Sequence, residues 1–460
     1  MSRLKDTLKV GNNVLTSYFP ARTSVPKEGD FDWQIAAAVV IRNLYRKRLS
    51  ATPSKSSNSA ESSKERLAIA RFQEQCKTDF LARLDEPEVW KYIDEMYFKG
   101  DDIYQIVPEA MLFKLADLNA NSAQHRLANM FTSLMHGFYL KETKSETSNF
   151  VESQVRESLL SDSILEDIKD GSQNMSKGIN EKPYLPYLSK VFKEDLNFLG
   201  KRPKYLIEQI ENLLRLYAYL YTAQLALNIK SIYEEPTVRP LYFILENETA
   251  SKERTNLVAH GHQSVQRFLP FIFPYLSMSE SLQSVGEGQR RIPLWELAQA
   301  LKDADAEALK NYALEFARDR SETNEFVIEY DTSQTSSRYW LEQVLLKEAF
   351  DQFGKKKKRA AAQEKFIRTT ESELCSIFAK PRGQAGKVLI LNQDYISLFT
   401  NLCIGESERL RFSELITKFR TRGICFDKQS QQALIKFYER VGNVERMSDS
   451  GDAIYVRKTI

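Results

Sequence analysis

"RFSELITKFRTRGICFDKQSQQALIKFYERVGNVERM", Arg411 to Met447, carries two helical patterns, each closed by a glycine. Phe412, Leu415, Ile416 and Phe419 recur three and four residues apart and give one apolar helix face. Gly423 stands where a left-handed C-cap residue ends a helix. Asp427 is placed to cap the next helix, whose Leu434, Ile435, Phe437, Tyr438 and Val441 point inward until Gly442 stops it. On the N-terminal side, "VLILN" reads as a short strand, and Tyr395, Ile396, Phe399 and Leu402 form the face of a first helix. On the C-terminal side, "NVERM" and "AIYVRK" have partial strand character. Strand, three helices and a terminal hairpin in that order predict a winged-helix-like domain over residues 387–460.

The hairpin is joined by "SDSGD". Asp449, Ser450, Gly451 and Asp452 are the small polar residues and glycine that a tight turn favours, so Asp449, Gly451 and Asp452 are expected at the tip of a wing rather than in a catalytic pair. On the outward face of the third helix, Lys428, Gln431, Gln432, Lys436 and Arg440 combine cations that neutralise phosphates with amides that can hydrogen-bond base edges. Arg446, Arg457 and Lys458 add positive charge on the hairpin. Such a face suits double-stranded DNA; the same face on a solvated helix, or docked on another subunit, is the bland alternative.

The charge distribution agrees with a polyanion partner for this end. The net charge of +3 conceals 21 Lys and Arg against 12 Asp and Glu from Lys355 to Ile460, a local +9, against −6 in the preceding 354 residues. "KKKKR", Lys355 to Arg359, contributes to it, although a solvated helix end is the favoured account of such a run over a dedicated nucleic-acid contact.

The remainder reads as a mainly α, multi-helix body: an N-terminal helical region over residues 1–180 and a central helical domain over 181–386. At 460 residues there is room for roughly two to four domains. A hydrophobic content of 42%, with only 17 Gly and 14 Pro, excludes a turn-rich all-β chain. "FDWQIAAAVVIRNLYRKRL" is a first helix; the polar stretch from Ser50 to Lys64 cannot pack and is expected to be a disordered loop. Lys204, Glu208, Glu211 and Arg215 share one face of a long helix that becomes apolar nearly all round after Leu216. Its uncharged run, Leu216 to Ile229, is shorter than the roughly 20 residues of a bilayer crossing. "RPLYFILENE" is aromatic and rich in β-formers, and is assigned as a strand.

Catalytic signatures are sparse. GxxxxGK[ST] and GxSxG do not occur, and "RGQAGKV" and "GEGQRR" read as turns. His260 and His262 in "AHGHQ" could lie on one side of an extended segment, but no third ligand stands nearby; His125 and His136 fall on helical patterns. Cys76, Cys375, Cys403 and Cys425 have no CxxC spacing and are expected to be buried free thiols in a reduced cytoplasmic protein. The first 20 residues lack the apolar core of an export signal. No cofactor, metal or catalytic residue is assigned, and the protein is not expected to be an enzyme.

Four stretches carry a resemblance: "RGICFDKQSQQAL", "SDSGDAIYV", "LNQDYISLFTNLCIGE" and "FKEDLNFLGKRPKYLIEQIENLLRLYAYLYTAQLALNI". They resemble the corresponding stretches of the DptG family of DNA phosphorothioation-dependent restriction proteins, most strongly over residues 184–233 and 387–460; residues 1–180 show no shared motif. The resemblance implies a bacterial defence role against DNA that lacks the sulfur modification, in a complex with the partners DptF and DptH, which would supply nucleotide use and translocation. It carries no catalytic residue. The reading is a non-catalytic subunit that bridges those partners and contacts DNA through its C-terminal domain. Alternatives are a metal-dependent nuclease subunit, an adaptor without DNA contact, and a transcriptional regulator using the same domain.

Overall fold

The computed structural model describes residues 4–12, 15, 18–21, 31–50, 63–117, 123–140, 149–161, 163–168, 181–251, 253–283, 291–321, 329–354, 356–447 and 453–460. The expected loop over Ser50 to Lys64 falls almost wholly outside them. The expected wing tip, Asp449, Gly451 and Asp452, lies outside them entirely. The chain is mainly helical, and its contacts divide it into two units.

One unit comprises Gly29–Ile179 and Lys193–Leu214. Its α1 (Trp33–Tyr45) starts where the Asp32 carboxylate accepts hydrogen bonds from the Gln34 and Ile35 N–H groups at 2.9 and 3.1 Å. Ala36 to Ile41 are fully buried, because the small alanines let neighbouring helices approach on every side. A two-stranded antiparallel ladder, β1 (Lys47–Leu49) with β2 (Leu165–Asp167), carries the cross-strand ion pairs Lys47–Asp167 and Arg48–Glu166, both at 2.8 Å. A further helix, α2 (Lys64–Leu81), is capped by Ser63 and buries Phe72, Cys76 and Phe80 on one face.

The other unit comprises Met1–Glu28, Asn180–Phe192 and Arg215–Ile460. Two helices, α3 (Pro186–Gly200) and α4 (Pro203–Asn228), contribute residues to both units. Every residue of α4 from Leu216 to Ala226 is buried, as its apolar sequence requires. The strands of this unit are β3 (Leu241–Leu245), β4 (Ala379–Pro381), β5 (Lys387–Leu391), β6 (Arg409–Arg411), β7 (Ile424–Cys425), β8 (Val444–Met447) and β9 (Ala453–Arg457). They form two sheets. The first has the order β4-β5-β3-β7, with β3 parallel to both β5 and β7 and β4 antiparallel to β5. Tyr219 of α4 packs its ring on Phe243 of β3 and on Phe378, which in turn stacks edge-on against Tyr395 at 4.7 Å.

Strand β3 confirms the reading of "RPLYFILENE". The "VLILN" strand also forms, as β5. It pairs with β3 and β4, so the segment after residue 387 shares a sheet with residues 241–245. Parallel neighbours need a long crossover. Here α5 (Thr255–Ala259), α6 (His262–Leu282) and the helices after them separate β3 from β5. Then α7 (Gln393–Ile404), β6 and α8 (Phe412–Arg420) lead from β5 to β7.

The second sheet is antiparallel in the order β6-β9-β8, and α9 (Lys428–Val441) precedes its hairpin. Phe399 of α7 stacks on Phe419 of α8 at 4.8 Å, Phe419 meets Phe426, and the Tyr438 hydroxyl of α9 lies 2.7 Å from Thr400 Oγ1. The strand closing this sheet, β6, is "RLR", which the sequence reading had not identified. Two arginines around one leucine give no β-former run to read.

Gly442 is the left-handed C-cap of α9, with φ +82°. Gly423 also takes a left-handed φ, +85°, but it lies two residues beyond the C-cap of α8, which is the right-handed Thr421, and turns the chain into β7. Their surroundings differ. A Cβ at Gly442 would meet open space, whereas one at Gly423 would overlap Gln224 Nε2 and stand 3.2 Å from the Arg239 carbonyl. That Gln224 amide donates to the Arg239 carbonyl at 2.7 Å, and the Gly423 carbonyl accepts from Leu241 N–H at 2.8 Å, so this glycine lets β7 reach β3. In denaturant titrations Gly442→Ala is expected to cost about 1 kcal/mol and Gly423→Ala about 2 kcal/mol or more. Equal losses at the two positions would contradict the close approach.

Candidate nucleic-acid interface

On α9 Leu434, Phe437 and Tyr438 are buried together with Ser430, and Ile435 is half-buried; Val441, expected to point inward, is 46% exposed at the end of the helix. Lys428, Gln432, Lys436, Glu439 and Arg440 are exposed. Asp427 starts the helix by accepting from Ser430 N–H at 2.9 Å, and Gly442 ends it. Among the described residues, Lys428, Gln432 and Lys436 have no polar partner. Arg440 is 5.8 Å from the Phe437 ring centroid. These four side chains are exposed, and three of them are cationic.

The other four expected contact residues stand differently. Gln431 is half-buried and its amide donates to the Phe426 carbonyl at 2.8 Å, so that group is committed to the backbone. Arg446 pairs with Glu439, in the last turn of α9. Arg457 and Arg409, from neighbouring strands, both pair with Glu445. Lys458 is half-buried, its ammonium 3.4 Å from the Gly405 carbonyl. The hairpin's positive charge is therefore largely met by the protein's own acids. Glu439 and Glu445 supply those partners, and the expected contact set did not include them.

A buried ionic cluster fixes the start of α9, and no local sequence signal announced it. The Arg254 guanidinium donates to Asp427 Oδ1 and Oδ2 at 2.7 and 2.8 Å, to Glu248 Oε2 at 3.0 Å and to Ser430 Oγ at 2.6 Å. Ser430 Oγ donates to Glu248 Oε2 at 2.9 Å. Burial alone would raise the Asp427 pKa; the hydrogen bonds and charge of Arg254, with those from Ser430, outweigh it and hold the carboxyl below its ordinary range. The cluster ties the helix to the segment after β3. Beside it, a cavity of about 170 Å³ opens between the carboxyl ends of β3 and β5 and the side of α9 bearing Lys436, Phe437 and Arg440.

His260 and His262 stand in different surroundings. His262 is fully buried, with Nδ1 3.3 Å from the Tyr219 hydroxyl, and burial lowers its pKa to about 4, so it is neutral at physiological pH. His260 is exposed beside the Tyr242 ring. Among the described residues no group of three or more His, Cys, Asp or Glu is placed to hold a metal ion. The four cysteines are buried and free, and burial pushes the Cys76 thiol up to about 12, which keeps it un-ionised. Lys356 to Arg359 are exposed in the turn entering the helix Ala360–Thr370. No described helix is long and apolar enough to cross a membrane.

Comparison with protein-family models and with curated proteins finds no match to this chain.

Proposed function

We propose that the protein is a non-catalytic, DNA-contacting subunit of a bacterial phosphorothioation-dependent restriction complex, as the resemblance to the DptG family implies. In this reading residues 387–460 contain a winged helix, with β8 and β9 forming the wing. Support comes from the order α7, β6, α8, β7, α9, β8, β9 and from the sheet order β6-β9-β8, in which the strand between the first two helices closes the hairpin sheet. The observation that carries the DNA contact is the exposed set Lys428, Lys436 and Arg440 on α9, none of which is paired with a carboxylate among the described residues. DptF and DptH would be the partners, and the helical body their scaffold.

A second reading, an adaptor that docks protein through the same helix, is favoured by Glu439 and Glu445, which neutralise the hairpin arginines. The two readings separate in one experiment. Binding of the full chain to a short unmodified duplex, followed by fluorescence anisotropy over a range of salt, is expected to show log K falling against log salt with a slope of about −3, one unit per neutralised phosphate. Undetectable binding at low salt, with intact co-purification of the partner subunits, would leave the adaptor reading.

A further inference from the structure

A second basic feature lies away from α9. A cleft of about 510 Å³ is lined by Arg239, His260, Gln263, Arg267, Val258 and Phe268, among others. Its volume falls within the roughly 300–1,000 Å³ of small-molecule sites. No carboxylate lines it, and neither Arg239 nor Arg267 is paired with one among the described residues. Arg239 is oriented by its neighbours: Nε is 3.3 Å from Asn228 Oδ1 and Nη2 is 3.4 Å from Ser231 Oγ. Such long, neutral contacts leave its charge uncompensated.

The walls specify more than charge. Gln263 belongs to the first turn of α6, a 21-residue helix whose N-cap, Gly261, offers no side-chain acceptor. The partial positive charge of that terminus adds to the two guanidiniums. Phe268 forms an aromatic wall, with the Lys230 ammonium 5.2 Å and the Arg267 guanidinium 5.8 Å from its centroid. Val258, 37% exposed, continues the apolar surface. Guanidinium forks match phosphate oxygens, and an aromatic face flanked by cations accepts a planar ring.

We propose that this cleft binds a phosphate ester of nucleoside monophosphate size, with the phosphate between Arg239 and Arg267 and the apolar body against Phe268 and Val258. Inorganic phosphate would satisfy the cations but leave the aromatic wall in water; a nucleoside would do the reverse. The site is independent of the proposed DNA contact through α9.

The test is calorimetric titration of the full chain with AMP, inorganic phosphate and adenosine in parallel. AMP is expected to bind most tightly and saturably, with phosphate weaker and adenosine weaker still. Arg267→Gln, at an exposed position, should weaken AMP binding about 10- to 100-fold, the effect of losing one charge-assisted hydrogen bond. Arg239→Gln should act in the same direction, with its fold checked by circular dichroism. Equal affinity for AMP and adenosine, no saturation at millimolar AMP, or unchanged binding by Arg267→Gln would each overturn the proposal. So would displacement of AMP by duplex DNA whose own affinity falls in Arg267→Gln, since the cleft would then be a backbone contact.

Discussion

Arg254→Met should lower the free energy of unfolding by about 3 kcal/mol at neutral pH, because it removes the one cation from a cluster that holds two carboxylates out of water. The Arg254 and Glu248 side chains are each 8% exposed and Asp427 is 16% exposed. Methionine preserves the length and packing of the stem, so the loss isolates the charge. Asp427 then remains the cap of α9 without its main stabilising partner, and Glu248 keeps only Ser430 and its bond from Leu245 N–H. The sign of the pH dependence follows. The folded-state pKa of Asp427 is depressed, so its contribution is present above the unfolded value of about 3.9 and is lost as pH falls through the folded one. The gap between wild type and Arg254→Met should therefore narrow below about pH 4. Chemical denaturation at neutral and acidic pH measures both; a loss under about 1 kcal/mol, or a gap independent of pH, would show that solvent already screens the cluster.

That cluster also marks the limit of what could be read from the chain. Local signals were legible where one residue decides one conformation: Gly423 and Gly442 take positive φ, Asp427 caps α9, and the apolar run after Leu216 is buried all round. Pairing between distant segments was not legible. "VLILN" declares itself a strand by composition, but nothing in it says that its neighbours are residues 241–245 and 379–381. Strand β6 is short and arginine-rich, and only its register with β9 makes it a strand. The same limit governs the candidate site. Helical periodicity placed Lys428, Gln432, Lys436 and Arg440 outward, while the partners of Arg446, Arg457 and Gln431 come from other elements or from folded-back backbone. Arg239 and Arg267 are separated by 27 intervening residues in the sequence and share a cleft only because the segment entering β3 and the first turns of α6 line it together.

Replacing Lys428, Lys436 and Arg440 together by glutamine is expected to remove most duplex binding at low salt. If each cation neutralises one phosphate, their loss reduces the slope of log K against log salt by about 3, a difference of roughly 40-fold in affinity between ~50 and ~200 mM salt. The three side chains are exposed, so the fold should survive, and an unchanged thermal midpoint would confirm that the loss belongs to the contact. Glu439→Gln makes the complementary case. It removes a negative charge from the same helix face and releases Arg446, so affinity should rise severalfold and the slope should steepen by up to one unit. A protein-docking face would behave otherwise: the triple variant would leave duplex binding and its salt slope unaltered, and Glu439→Gln would loosen the β8–β9 hairpin without any gain for DNA. Opposite responses of the two variants, measured on one duplex, therefore test whether α9 meets a phosphate backbone, independently of which complex the subunit serves.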